Sequence, residues 1–252
     1  MIEEVLVVSF TFEWYEQLLK LLSNHGYHFA DYHNWKQIKK PVILRHDIDN
    51  DLSKALEIAK IEAAKKVKST YFVLISSDFY NIFSMKNAKL IHQIQDCGHE
   101  IGLHFDEMKY PQVIGNIEKI REEIIKEADI LSYVSERPVT TVSMHRPSKA
   151  ILNADLKLSD IINSYSQIFF HEFKYLSDSR RHWREPVEDI ISSEEFERLH
   201  ILTHAFWYYQ KEKSIHDTIK EFVNGANSEH YHFFYENFTD LESVMKSEEV
   251  LV

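Results

Sequence analysis

PVILRHDIDN, residues 41–50, sets an apolar run from Val42 to Leu44 directly against Arg45, His46, Asp47 and Asp49. A run of β-formers behind a proline reads as a strand, and its abrupt polar end puts chemistry at the strand's mouth. Downstream the pattern alternates. Residues 52–66 place Leu52, Ala55, Leu56, Ala59 and Ala63 at helical spacing, and STYFVLIS (69–76) is rich in strand formers. A short helix over 86–97 closes at Gly98, HEIGLHF (99–105) is the next strand, and residues 112–131 carry a helical stripe of Val113, Ile117, Ile120, Ile124 and Leu131. After Pro138, VTTVSMHRPS alternates into a second polar strand end. SQIFFHEFKYLSDS (166–179) and LHILTHAFW (199–207) are further strand candidates, the latter preceded by the cap-like SSEEFERL. Repeated strand-then-helix units predict an α/β fold with a parallel sheet, closed into a barrel or doubly wound.

Outside this alternation lie two covering segments. TFEWYEQLLKLLSNHG (11–26) reads as an amphipathic helix with Trp14, Leu18, Leu21 and Leu22 on one face, Thr11 as N-cap and Gly26 as C-cap. It belongs to an N-terminal covering element, residues 1–40. In the tail, residues 210–252, SIHDTIKEFVNGA reads as a helix and HYHFFYENF as a mixed aromatic segment, expected to cap the barrel or to form a dimer contact. Its His230 and His232 are spaced like ligands, but alternate residues of a strand are as easily a solvated face. With 252 residues and 44% hydrophobic content, one domain spanning residues 1–252 is expected.

The charge of −11, from 40 acidic against 29 basic residues, repels phosphate backbones and argues against nucleic acid as a partner. Cys97 stands alone and cannot close an internal disulfide. The opening MIEEVLVVSFTF carries acids where a secretory signal carries positive charge, so a cytoplasmic location is expected. Charges interrupt every apolar stretch before it reaches membrane-spanning length, which predicts no integral membrane contact.

Four expected strands end in ionisable residues: Arg45 to Asp49, then His104 and Asp106, then His145 and Arg146, then His204. In parallel α/β folds the carboxyl ends of strands gather at one rim. A set of imidazoles and carboxylates gathered there suits a zinc-, iron- or cobalt-like cation, which polarises a carbonyl and acidifies water. The plainer reading of the first motif is a buried ion pair of His46 and Asp47 with Arg45. HEIGLH is not a zincin helix, because His99 and His104 are five apart with Gly102 between them.

In order, RHDID (45–49), STYF (69–72), GHEIGLHFD (98–106), SMHRPS (143–148), DSRRHW (178–183) and LTHAFW (202–207) resemble the polysaccharide-deacetylase superfamily, also known as NodB-homology or carbohydrate esterase 4 proteins. The resemblance covers roughly residues 41–207. It implies an irregular (β/α)7 barrel, with Asp47 as general base, Asp49 and His104 as metal ligands, and Arg146 as the arginine that holds the catalytic aspartate. Asp178 and Trp183 fall at the fourth motif's acid and aromatic wall, assigned to substrate binding. His204 matches the general acid that protonates the leaving amine. One departure stands out: where the family has a second metal histidine, this chain has Met108, a poor ligand for such a cation. His145 is the expected replacement, with Asp106 the less favoured one.

The implied activity is metal-dependent removal of an acetyl group from an N-acetylated sugar or glycoconjugate precursor. Zinc is the first choice of metal, with cobalt, iron or manganese as others. Trp183, Phe206 and Trp207 are placed to stack on a sugar, although ordinary packing explains them equally well. Two other readings are hydrolysis of a non-sugar amide or cyclic ureide, and an inactive carbohydrate-binding or scaffolding barrel.

Overall fold

A computed structural model describes residues 8–250; the first seven residues of the expected covering element lie outside them. The chain clusters into two compact units, Met1–Tyr208 and Tyr209–Val252.

In the first unit the strands are β1 (His28–Ala30), β2 (Pro41–Ile48), β3 (Thr70–Val73), β4 (Glu100–Phe105), β5 (Thr141–Met144), β6 (Ile162–Asn163), β7 (Lys174–Ser177) and β8 (Leu199–Thr203). Its helices are α1 (Phe12–Asn24), α2 (Leu52–Ala64), α3 (Met85–Asp96), α4 (Ile117–Ser135), α5 (Lys149–Ala154), α6 (Ile168–His171) and α7 (Val187–Ser193). The strands form one sheet in the order β6-β5-β4-β3-β2-β8-β7, and β1 also pairs with β2. Every described pairing is parallel, as strand–helix–strand repeats require. The path ends at β6 and β7, so the (β/α)7-type sheet is open between them. The strand expected over 166–179 is shorter than its β-rich composition suggests, because a helical turn, α6, occupies residues 168–171 before β7 begins.

All eight residues of β2 are buried, because both faces of a parallel sheet are covered. Alternation divides them. Ile43 faces an inner cluster with Ala30, Tyr32, Trp35, Phe72, Phe169 and Phe173, and Arg45 and Asp47 share its face. Val42, Leu44 and Ile48 face the outer cluster beneath the helices. There α1 buries Trp14, Tyr15, Leu18, Leu19 and Leu22, each leucine contributing about 1.5–3 kcal/mol. Thr11 caps this helix by accepting the Trp14 backbone N–H at 3.1 Å, and Gly26 follows the His25 cap with φ +74°.

The two glycines of GHEIG have different causes. Gly98 ends α3 in the left-handed region, φ +94°, which glycine adopts without steric cost. Gly102 is a matter of space: a Cβ there would lie 2.5 Å from Phe72 Cε1 and 2.6 Å from Thr141 Oγ1.

The second unit carries α8 (Ile215–Asn237) and α9 (Leu241–Val244). The helix continues through the aromatic segment at which the sequence reading stopped it. His230 and His232 thus lie on a helix, not on a strand, and His232 pairs with Glu236 one turn on at 3.4 Å. No helix among the described residues is long and apolar enough to cross a membrane.

Candidate metal centre and active site

The carboxyl ends of β2, β4, β5 and β8 meet at one rim. Registers His104↔Ser143 and His46↔Thr203 bring the polar ends of neighbouring strands level, so residues 41 and 157 positions apart in sequence become neighbours.

Asp49, His104 and His145 converge there. Asp49 Oδ1 lies 3.2 Å from His104 Nε2 and 3.2 Å from His145 Nδ1, and the two nitrogens are 3.1 Å apart. The Asp49 oxygen is buried yet in hydrogen-bonding geometry with neither ring. Three donors bound at ~2.0–2.1 Å to one tetrahedral cation would stand about 3.3 Å from each other, close to the spacing found. An N₂O donor set of this size fits a zinc-, cobalt-, iron- or manganese-like divalent ion. The structure brings His145, and not Asp106, to Asp49 and His104. Asp106 accepts the Met108 backbone N–H at 3.1 Å and pairs with Arg146, while Met108 itself is exposed.

On one side of this cluster stands Asp47, whose Oδ2 is 3.6 Å from His104 Nε2. The guanidinium that holds it is Arg45, not Arg146. Arg45 is fully buried on the same strand face and donates from Nη2 to Asp47 Oδ2 at 2.7 Å. Ser143 Oγ at 2.7 Å and Ser164 Oγ at 3.1 Å accept its other bonds, and the rings of Phe72 and Tyr165 flank it at 5.4 and 5.1 Å. Burial opposes ionisation of Asp47, but the Arg45 charge prevails and holds its pKa below the ordinary carboxylate value. Its Oδ1 has no hydrogen-bond partner. Arg146, expected from the resemblance to grip this aspartate, is 61% exposed at its side chain and pairs with Asp106. The difference is one of register: two residues along a strand return to the same face, and Arg45 already occupies that position beside Asp47.

His204 stands beside the cluster too, its Nε2 3.9 Å from Asp49 Oδ2. Its Nδ1 meets Asp178 Oδ1 at 2.7 Å. Burial alone would lower the imidazole's pKa, but the hydrogen bond and charge of Asp178 outweigh it and push the value up to about 9. Asp178 also accepts the His204 backbone N–H at 3.0 Å and the Tyr208 hydroxyl at 3.0 Å. Being fully buried with its oxygens engaged, it serves His204 and does not reach a substrate, contrary to the sequence expectation. Trp183 is corrected likewise: it is buried in the core, its ring 5.9 Å from that of Trp14. Trp207 remains half-buried on the turn after His204, against Phe206 at 4.8 Å.

Sequence reasoning missed the two serine anchors of Arg45 and the network on the outer face of β2. There Glu62, at the end of α2, accepts from His46 Nε2 at 2.9 Å, Tyr15 at 2.6 Å, Tyr71 at 2.7 Å and Ser69 at 2.5 Å. A lone glutamate on the core-facing stripe of a helix was the available signal.

No protein-family model and no curated protein matches the sequence. Among solved structures, the peptidoglycan N-acetylglucosamine deacetylase Bc1960 is similar over 82% of this chain and 89% of that one, at 18% identity and a TM-score of 0.45. A family 4 acetyl xylan esterase from Clostridium thermocellum, in complex with a cobalt ion, is similar over 75% and 84%, at 16% identity and TM-score 0.40. A CE4 family pseudoenzyme from Bacillus anthracis is similar over 74% of this chain and 60% of that one, at 14% identity and TM-score 0.43.

Proposed function

We propose that this chain is a metal-dependent amide hydrolase that removes an acetyl group from an N-acetylated sugar or glycoconjugate precursor. The observation that carries the reading is the flanking of the Asp49–His104–His145 cluster by a held carboxylate, Asp47, and a held imidazole, His204. A divalent cation in the cluster would supply polarisation of the acyl carbonyl and acidification of a water.

The chain's own groups account for the proton movements. Asp47, kept anionic by Arg45, has one oxygen free to take a proton from the attacking water. His204, kept protonated by Asp178, presents Nε2 toward the cluster and gives its proton to the departing nitrogen. Arg45 and Asp178 are positioning residues, each buried behind the group it orients. Trp207, half-buried three residues after His204, is assigned to the sugar.

Elemental analysis of wild type beside His145→Ala and Asp49→Ala tests the reading, joined to an assay for acetate released from N-acetylated sugars. Near-stoichiometric metal in wild type, lost in both variants together with turnover, is the expected result. Metal-free wild type after reconstitution with zinc, cobalt, iron and manganese overturns it in favour of a binding barrel. Turnover of cyclic ureides but not of N-acetyl sugars moves the substrate out of the carbohydrate class.

A further inference from the structure

We infer that the loop after β7 is an anion site, and that the N-acyl sugar taken by this chain carries a phosphate group. This rests on the deacetylase reading for the sugar and on the loop alone for the anion. The sequence has eight arginines against 40 acidic residues, and five of them pair with carboxylates: Arg45 with Asp47, Arg121 with Glu118, Arg137 with Asp96, Arg146 with Asp106, and Arg198 with Glu172. Arg181 lies over the Phe10 ring at 5.0 Å. Arg180 and Arg184 are the arginines left with no ion-pair or hydrogen-bond partner among the described residues, and both are exposed. Both guanidiniums lie in the one short loop between β7 and α7.

The loop is built to hold them. It leaves β7 at Asp178, which is buried on His204, and returns to the core at Trp183, which is buried against Trp14. The His182 N–H donates to the Asp178 carbonyl at 3.2 Å and closes the turn. Arg180 and Arg181 both adopt the left-handed region, φ +61° and +56°, at about 1–2 kcal/mol each for a side chain with a Cβ. Of the neighbouring acids, Glu185 is engaged by Lys174 and Glu188 by the Trp14 indole at 2.9 Å. Two residues of chain span at most ~7 Å, and Asp178 touches His204. The Arg180 backbone thus lies within that reach of Asp178, the residue that orients His204. Guanidiniums bind phosphate oxygens in bidentate fashion, and a phosphate on the sugar would find in this loop two arginines without an ion-pair or hydrogen-bond partner among the described residues.

Calorimetric titration tests this with N-acetylglucosamine, its 1-phosphate, UDP-N-acetylglucosamine and N-acetylneuraminic acid. Wild type and the Arg180→Gln/Arg184→Gln double variant are compared, each zinc-loaded and chelator-treated, with circular dichroism to verify the fold. The phosphorylated sugars are expected to bind at least tenfold more tightly than the neutral one. That preference should persist without metal, shrink with added salt and collapse in the double variant. Equal binding of neutral and phosphorylated sugar, a preference unaltered in the double variant, or one present only with zinc overturns the anion site. A matching gain for the carboxylate sugar overturns the choice of phosphate. Failure of every sugar to release acetate, with the phosphate preference intact, refutes the deacetylase reading and leaves the anion site standing.

Discussion

His46 Nδ1 and Thr203 Oγ1 meet at 2.6 Å across β2 and β8, one residue before Asp47 on the first strand and one before His204 on the second. The outer face of the sheet thus ties together the two strand ends whose next residues face the cluster. Glu62 closes the tie from the helix layer, gathering His46, Tyr15, Tyr71 and Ser69 on its two oxygens.

Replacing Glu62 with Gln is expected to cost about 3–5 kcal/mol, the usual result of breaking a buried charged pair. Burial would raise this carboxyl's pKa, but His46 and the surrounding donors bring it down from the ordinary 4.5 to about 2. Because the folded value is the lower one, the contribution is complete above about pH 4.5 and is lost as pH falls toward about 2. Burial also lowers the pKa of His99 below the ordinary 6.5, so this group costs the fold stability as pH falls through that value, with the same sign as Glu62 but at higher pH. Urea unfolding from pH 7 to pH 3 should show the wild-type midpoint falling more steeply below pH 4.5 than that of Glu62→Gln. Parallel curves would remove Glu62 from this role.

Asp178→Asn is expected to lower kcat on an N-acetylated sugar by about 10²–10⁴, the usual worth of a positioned acid, with little change in KM. Its carboxylate is fully buried behind His204 and cannot be reached by substrate. A raised KM at constant kcat would restore the contact with substrate that the sequence resemblance implied.

What the sequence made legible was the polar strand end. Val42 to Asp49 announced a strand and a site together, and the shared rim of a parallel sheet brought His104, His145 and His204 to it. What it hid depends on facing and depth. Asp178 and Trp183 sit in a motif that reads as polar and aromatic, and only the packing shows both buried. The aromatic run after Gly225 reads as non-helical by propensity, yet α8 continues to Asn237, since such local preferences are weak.

Arg45 and Arg146 separate by the same logic. Arg45→Met leaves the Asp47 carboxylate buried without its counter-charge and is expected to destabilise the fold by about 3–5 kcal/mol. Arg146→Gln removes an exposed pair with Asp106 and is expected to cost no more than about 1 kcal/mol. Chemical denaturation of the two variants side by side decides. A larger loss at Arg146 would return to it the role that its place in the motif suggested.

Gly102 puts the inner face of the sheet to the test. In register it stands beside Phe72, and an added methyl would meet that ring at 2.5 Å and the Thr141 hydroxyl at 2.6 Å. Neither neighbour has room to withdraw, since Phe72 is fully buried in the inner cluster and Thr141 is fully buried on β5. Overpacking of this kind costs about 1–3 kcal/mol, and its strain would reach Arg45, which lies against the same Phe72 ring. Gly102→Ala is therefore expected to lower both stability and metal retention, because His104 follows two residues later on the same strand face. Phe72→Leu, which shortens the ring that collides, should recover part of both losses in the double variant. Additive losses in the double variant would mean that the glycine serves something other than this contact.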